Sequence, residues 1–133
     1  MTTPLRLTTF RIGDPPQPGQ GLRVGVTRRP PRGVPRDRWV ADGYFDVWLP
    51  ALAPSAKLVA EIMKKQHGPA AALQKALDRY ERELLSSAES RQTVELMAQV
   101  AARMPISIGC FCEDESRCHR SRLYRVIQDH ARP

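Results

Sequence analysis

Apolar positions recur along this chain with two different periods, and each period predicts an element. Arg6 to Ile12 sets Leu7 and Phe10 among β-branched threonines until Gly13-Asp14-Pro15-Pro16 stops the run, which predicts a strand. Leu22 to Thr27 places Val24 and Val26 around a small Gly25 and predicts a second, buried strand. The stretch Arg28 to Pro35 carries Pro30, Pro31 and Pro35, which lack the donor that a helix or central strand needs, so it reads as a rigid loop. Tyr44 to Leu49, closed by Pro50, suits a strand and a short helix equally.

After Pro54 the period becomes helical. Ser55 suits an N-cap, and Leu58, Val59, Ile62 and Met63 form one stripe, which predicts a helix to about Gln66. Beyond Gly68-Pro69, the stripe of Leu73, Leu77, Tyr80 and Leu84 predicts a second helix with its charges facing water. Ser86-Ser87 interrupts, and Val94, Met97, Ala101 and Met104 predict a third helix that Pro105 ends, with its methionines in the core. Ile106 to Phe111 then predicts another buried strand, with Ile106, Ile108 and Cys110 on one face and Ser107, Gly109 and Phe111 on the other. Continued extension would put Cys112 on the face of Cys110. After the polar run Glu113 to Arg117, Leu123, Val126, Ile127 and His130 mark a last helix, with Cys118, His119 and Arg120 in its first turn.

Strand, helices, strand, helix is the order of a layered α/β fold. The expectation is one domain over residues 1–133, built on a small, mainly parallel sheet flanked by helices. In such folds ligands bind beyond the carboxyl ends of the strands. Both the arginine loop after Thr27 and the Cys/His/Arg segment after Phe111 start at a strand's carboxyl end, so parallel neighbouring strands would bring the two segments together.

Composition narrows the class. A hydrophobic share of 41% with 26% charged residues excludes a disordered or fibrous chain. No apolar run approaches the roughly 20 residues that span a bilayer, and Met1 to Phe10 lacks a signal-peptide layout, so a cytoplasmic protein without a membrane partner is expected. The 3 cysteines, an odd number, all lie between Cys110 and Cys118, which reads as a site and not as a disulfide scaffold. A net charge of +7 attracts phosphates, nucleic acid or acidic surfaces. Much of it is concentrated at Arg23, Arg28, Arg29, Arg32, Arg36 and Arg38, with Asp37 the one acid among them. Solvated basic loops are common, so this charge alone assigns no ligand.

Several motifs, in order, carry a resemblance. They are Val26-Thr27-Arg28 followed by Pro31-Arg32-Gly33, then Asp46-Val47-Trp48-Leu49 with Leu52-Ala53-Pro54-Ser55, then Arg79-Tyr80 with Glu83-Leu84. The most specific is Cys110-Phe111-Cys112-Glu113-Asp114 followed by Cys118-His119-Arg120 and Leu123. Over most of its length the chain resembles the domain-of-unknown-function 488 (DUF488) family, and the resemblance implies an α/β fold in a cytosolic protein of mostly prokaryotic distribution. Two departures stand out: Thr27 where that family usually has aspartate, and Arg29-Pro30 in place of its usual Leu-Trp. If the aspartate is catalytic in relatives, Thr27 implies a changed or lost activity.

Three chemistries suit the C-terminal cluster. A helix start offers oriented N–H donors, so His119 and Arg120 would clamp a phosphate or carboxylate, with Arg28 and Arg32 adding forked donors from the facing loop. Such a pocket would serve binding or an enzyme acting on an anionic substrate. Alternatively, Cys110, Cys112, Cys118 and His119 supply a set of zinc or iron ligands, although their spacing departs from the common paired motifs. Thirdly, Cys118 at a helix start beside His119 and Arg120 is the candidate nucleophile, while the plain reading of Cys110 is a small core residue. A nucleic-acid module is the reading from another class, resting on the net charge, the arginine loop and the candidate exposed aromatics Trp39, Tyr44 and Trp48, of which Trp48 suits the core better, without any recognised motif.

Overall fold

Ile106–Cys110 has all five residues buried, and a strand with no wet face belongs in the middle of a sheet. The computed structural model describes residues 5–130 and places it there. The strands are β1 (Leu7–Arg11), β2 (Leu22–Gly25), β3 (Val47–Trp48) and β4 (Ile106–Cys110). They form one sheet in the order β1-β4-β2-β3, and every pair is parallel. The ambiguous stretch before Pro50 is therefore a two-residue edge strand, followed by a single 3-10 turn at Pro50–Leu52.

Four helices follow the expected stripes: α1 (Ala56–Lys65), α2 (Ala70–Ser86), α3 (Ala88–Ala101) and α4 (His119–His130). Ser55 caps α1 by accepting from the Leu58 N–H, and Ser87 caps α3 by accepting from the Ser90 N–H. All four helices contribute to one apolar cluster with Leu7, Val24, Ile106 and Ile108 of the sheet. Among the described residues no helix is long and apolar enough to cross a membrane.

The other sheet face has a cover of a different kind. Phe10, Ile12, Trp39 and Phe45 form a second cluster, with Val34, Tyr44 and Trp48 packed against it. The sheet admits these rings because Gly25 and Gly109 stand opposite each other in the register of β2 and β4. A Cβ on Gly25 would come within 2.6 Å of the Phe45 ring, and one on Gly109 within 2.3 Å of the Phe10 ring. Trp39, read from sequence as a candidate exposed aromatic, is thus a core residue whose ring meets Phe45 and Trp48 edge-on.

Met104, assigned to the core, and Met63, placed on the apolar stripe of α1, both lie outside the core. Met104 falls beyond the last turn of α3, where helical periodicity no longer aims it inward, and Met63 sits at the margin of the α1 stripe. Both are exposed. Met63 instead lines the cavity described next.

Candidate functional site

β2 and β4 are hydrogen-bonded parallel neighbours, so the chain leaves both at the same edge of the sheet. A cavity of about 760 Å³ opens there, walled by the loop Thr27–Gly33, by α1, and by Cys110, Cys112 and His119.

The loop is anchored at its root. Thr27 Oγ1 donates to the Arg29 carbonyl (2.7 Å), and Trp48 Nε1 donates to the Thr27 carbonyl (2.9 Å). Arg28 Nε and Nη2 donate to the carbonyls of Pro54 (2.9 Å) and Ala53 (3.1 Å), tying the loop to the start of α1. Arg28 therefore lines the cavity while its donors serve the scaffold. Arg29 and Arg32 are exposed, also line the cavity, and make no side-chain hydrogen bond among the described residues.

His119 opens α4 and is buried, its ring meeting Tyr80 edge-on with centroids 5.3 Å apart. Its Nε2 lies 2.7 Å from the Val26 carbonyl oxygen. A carbonyl only accepts, so Nε2 is the donor, and Nδ1 faces Cys118 Sγ at 3.7 Å. Sequence reasoning put Cys118 inside the first helical turn, whereas a 3-10 turn at Glu115–Arg117 intervenes. Cys118 is left extended (φ −118°, ψ 150°), one residue before α4, with its carbonyl accepting from the Ser121 N–H. Asp114 caps that 3-10 turn, its Oδ1 accepting from the Ser116 N–H at 3.0 Å and from the Ser116 hydroxyl at 2.7 Å.

The three cysteines converge. Their Sγ atoms all lie within 4.8 Å of one another, with Cys110 and Cys112 at 3.7 Å, because two residues of extended chain return to the same face. Cys118 is fully buried and Cys112 half-buried. Gln66, at the end of α1, donates to Cys112 Sγ (3.1 Å) and to the Arg117 carbonyl (3.1 Å). The thiols share their protons unequally. Hydrogen bonds from Cys112 and then Cys118 draw the Cys110 thiol far below its ordinary value. The contact with Cys110 is the main cause that pushes Cys118 far up and raises Cys112.

Arg120 stands apart from the cavity lining. It is 3% exposed, Nη1 donates to the Cys112 carbonyl (2.8 Å), and Nε has no partner. It forms no ion pair among the described residues. Of the anion-binding set read from sequence, Arg28, Arg32 and His119 therefore meet in one cavity, while Arg120 supports the Cys112 segment from beneath. Of the metal set, the three cysteines come together and His119 adjoins them through Cys118.

Sequence reasoning passed over two participants. The sequence presents Arg29 as loop charge and as part of the Arg29-Pro30 departure, and Gln66 as a helix end. Neither carries a motif of its own, and the three-dimensional closure of α1 against the Cys112 to Arg117 segment is what recruits Gln66.

A family model described as the active DUF488-N3 subclade matches residues 7–131. The chain belongs to the DUF488 family. No curated protein and no solved structure matches it. In this DUF488 protein several of the segments that carry the resemblance line the cavity, among them Arg28, Arg32-Gly33, Pro54, Cys110, Cys112 and His119, while Trp48, Tyr80 and Glu83 do not. Thr27, in the place where aspartate is usual, contributes a hydroxyl donor to the Arg29 carbonyl, a bond that an ionised carboxylate cannot make.

Proposed function

We propose that this DUF488 protein binds a small phosphate- or carboxylate-bearing ligand in the cavity between the arginine loop and the Cys112 to Arg120 segment. The observation that carries the reading is that one cavity of about 760 Å³ is lined by Arg28, Arg29 and Arg32 from one side and by Cys112 and His119 from the other. Two of those guanidinium groups, Arg29 and Arg32, are exposed and make no side-chain hydrogen bond or ion pair among the described residues, and a guanidinium fork matches the paired oxygens of a phosphate or carboxylate. The position beyond the carboxyl ends of β2 and β4 is where parallel sheets place their ligands. Arg29 and Arg32 contact the anion directly, Arg28 holds the wall, His119 borders the ligand, and Arg120 positions the Cys112 segment. Cys118, fully buried, does not reach the ligand. A cytoplasmic setting, where thiols stay reduced, suits three free cysteines.

Calorimetric titration with inorganic phosphate, pyrophosphate and citrate tests the reading. One of them binds with 1:1 stoichiometry, and Arg32→Ala or Arg29→Ala weakens it by about tenfold or more, the loss of a charge-assisted contact. Arg36→Ala and Arg38→Ala leave it unchanged, because Arg36 lies outside the cavity and Arg38 is paired with Asp42 at 2.6 Å. Tight binding of DNA or RNA that weakens steeply with salt and survives Arg32→Ala would instead establish the nucleic-acid reading.

A further inference from the structure

The proposed anion pocket uses the arginine wall and leaves the sulfur cluster behind it without a role. We propose that Cys110, Cys112 and Cys118 form a binding site for zinc, with three thiolates as ligands and the fourth coordination position facing the cavity. This inference is independent of the anion reading.

The first support is metric. A zinc–sulfur bond of about 2.3 Å sets the sulfur–sulfur edge of a tetrahedron at about 3.8 Å. Cys110 and Cys112 already stand 3.7 Å apart, and all three sulfurs lie within 4.8 Å of one another, so the longest edge needs to shorten by about 1 Å at most. A disulfide is a poor account of the same sulfurs, since an S–S bond is about 2.05 Å and all three cysteines are free. The ligands do not follow the paired knuckle spacing of common zinc motifs because topology assembles them here: Cys110 ends β4, Cys112 lies one extended step beyond, and Cys118 precedes α4.

The second support is the surroundings of the sulfurs. Gln66 donates an amide N–H to Cys112 Sγ, the outer contact that orients and stabilises a thiolate ligand. Arg120, 3% exposed and without an ion pair among the described residues, donates to the carbonyl of Cys112. A buried guanidinium needs a nearby negative charge. The exposed Asp114 carboxylate interacts with Arg120 from the solvent side, and a divalent ion carrying three thiolates, with a net charge of −1, adds a charge on the buried side. Small thiols filling a core would explain Cys110 and Cys118 singly, but not a half-buried Cys112 that joins both and takes a hydrogen bond from an amide. Cys110 and Cys112 line the cavity and Cys118 does not, so the trio closes the inner side of the ion and leaves the outer side to water or to a ligand.

On binding, each thiol that is still protonated gives its proton to the buffer and its sulfur lone pair to the ion, with no change in oxidation state. The test uses the full chain, untagged, reduced and stripped with a chelator. Cobalt(II) added to it should produce, at one equivalent, the thiolate-to-cobalt charge-transfer absorption of a tetrahedral site, and one equivalent of zinc should abolish it. Cys112→Ser, at the half-buried position and with its fold verified by circular dichroism, should lower zinc affinity by on the order of a hundredfold. Absence of the charge-transfer absorption in the unsubstituted protein overturns the proposal without reference to any variant. So does zinc binding that is equally tight in folded Cys112→Ser, since the ion would then lie elsewhere.

Discussion

Two of the three arginines buried among the described residues, Arg23 and Arg120, lie on opposite faces of the sheet, and the molecule treats them differently. Arg23, beneath the aromatic cover, has its centre 4.2 Å above the Phe10 ring and donates to the carbonyls of Gly43 (2.8 Å) and Asp14 (2.9 Å). Its own N–H is taken by the Asp46 carboxylate at 2.9 Å, so a fixed negative charge stands beside it. Arg120, beneath the sulfur cluster, has one hydrogen bond and no ion pair among the described residues. In the first region the partners are fixed carbonyls and a carboxylate, although Arg23 Nε, like Arg120 Nε, has no partner among the described residues. In the second, the guanidinium holds the carbonyl of a cysteine and interacts with the exposed Asp114, and the neighbouring thiols change their charge with protons or metal. That is the difference between a residue that cements a fold and one that serves a site.

The largest effect that separates the two regions is on stability. Arg23→Met should cost about 3 kcal/mol in urea unfolding, because it takes the donors from the Gly43 and Asp14 carbonyls and the cation from the face of Phe10. Arg120→Met in the metal-free protein should cost about 1 kcal/mol or less, since only one hydrogen bond is lost. Equal losses would break the comparison. Gly109→Ala comes next, at about 1–3 kcal/mol, because the added methyl would stand 2.3 Å from the Phe10 ring. The same unfolding measurement on Gly33→Ala sharpens this result: its Cβ meets nothing within 4 Å, and its cost comes only from the positive φ of 74°.

The smallest effect is in the pH dependence of the metal-free protein. Cys110 is depressed in the fold, so its contribution grows as pH rises towards the ordinary thiol value of about 8.5 and is lost as pH falls. Cys112 and Cys118 are raised, so their contribution is complete below that value and is lost as pH climbs above it. The stability difference between the unsubstituted protein and Cys112→Ser should therefore peak near pH 8.5, at about the ordinary thiol value. A difference that rises steadily through pH 10 would contradict the shared-proton account.

Much of the fold was legible because the signals were local. Ser55 before a helical stripe, Pro105 before β4, and the alternation of Ile106, Ile108 and Cys110 each name their element within a few residues. What stayed hidden depended on contacts between distant segments. Nothing near Trp39 tells that Gly25 and Gly109 leave room for a ring cluster on that face, and nothing near Gln66 tells that its amide meets Cys112, 46 positions away. The site was half legible for the same reason. The two loops were placed together from the rule that parallel strands open at one end, yet which arginines would be free rested on the carbonyls of Ala53 and Pro54, which occupy Arg28 and spare Arg29 and Arg32.

The central claim is that an anion sits where those two loops meet, and locating one there is its most direct test. Crystals of the reduced protein soaked in tungstate, a heavy analogue of phosphate, would reveal bound anions by anomalous scattering. The account predicts a peak inside the cavity within hydrogen-bonding distance of the Arg29 or Arg32 guanidinium, on the side facing His119, and its loss in Arg32→Ala crystals. Peaks confined to Arg36, Arg38 or other arginines outside the cavity, with the cavity itself empty, would contradict it.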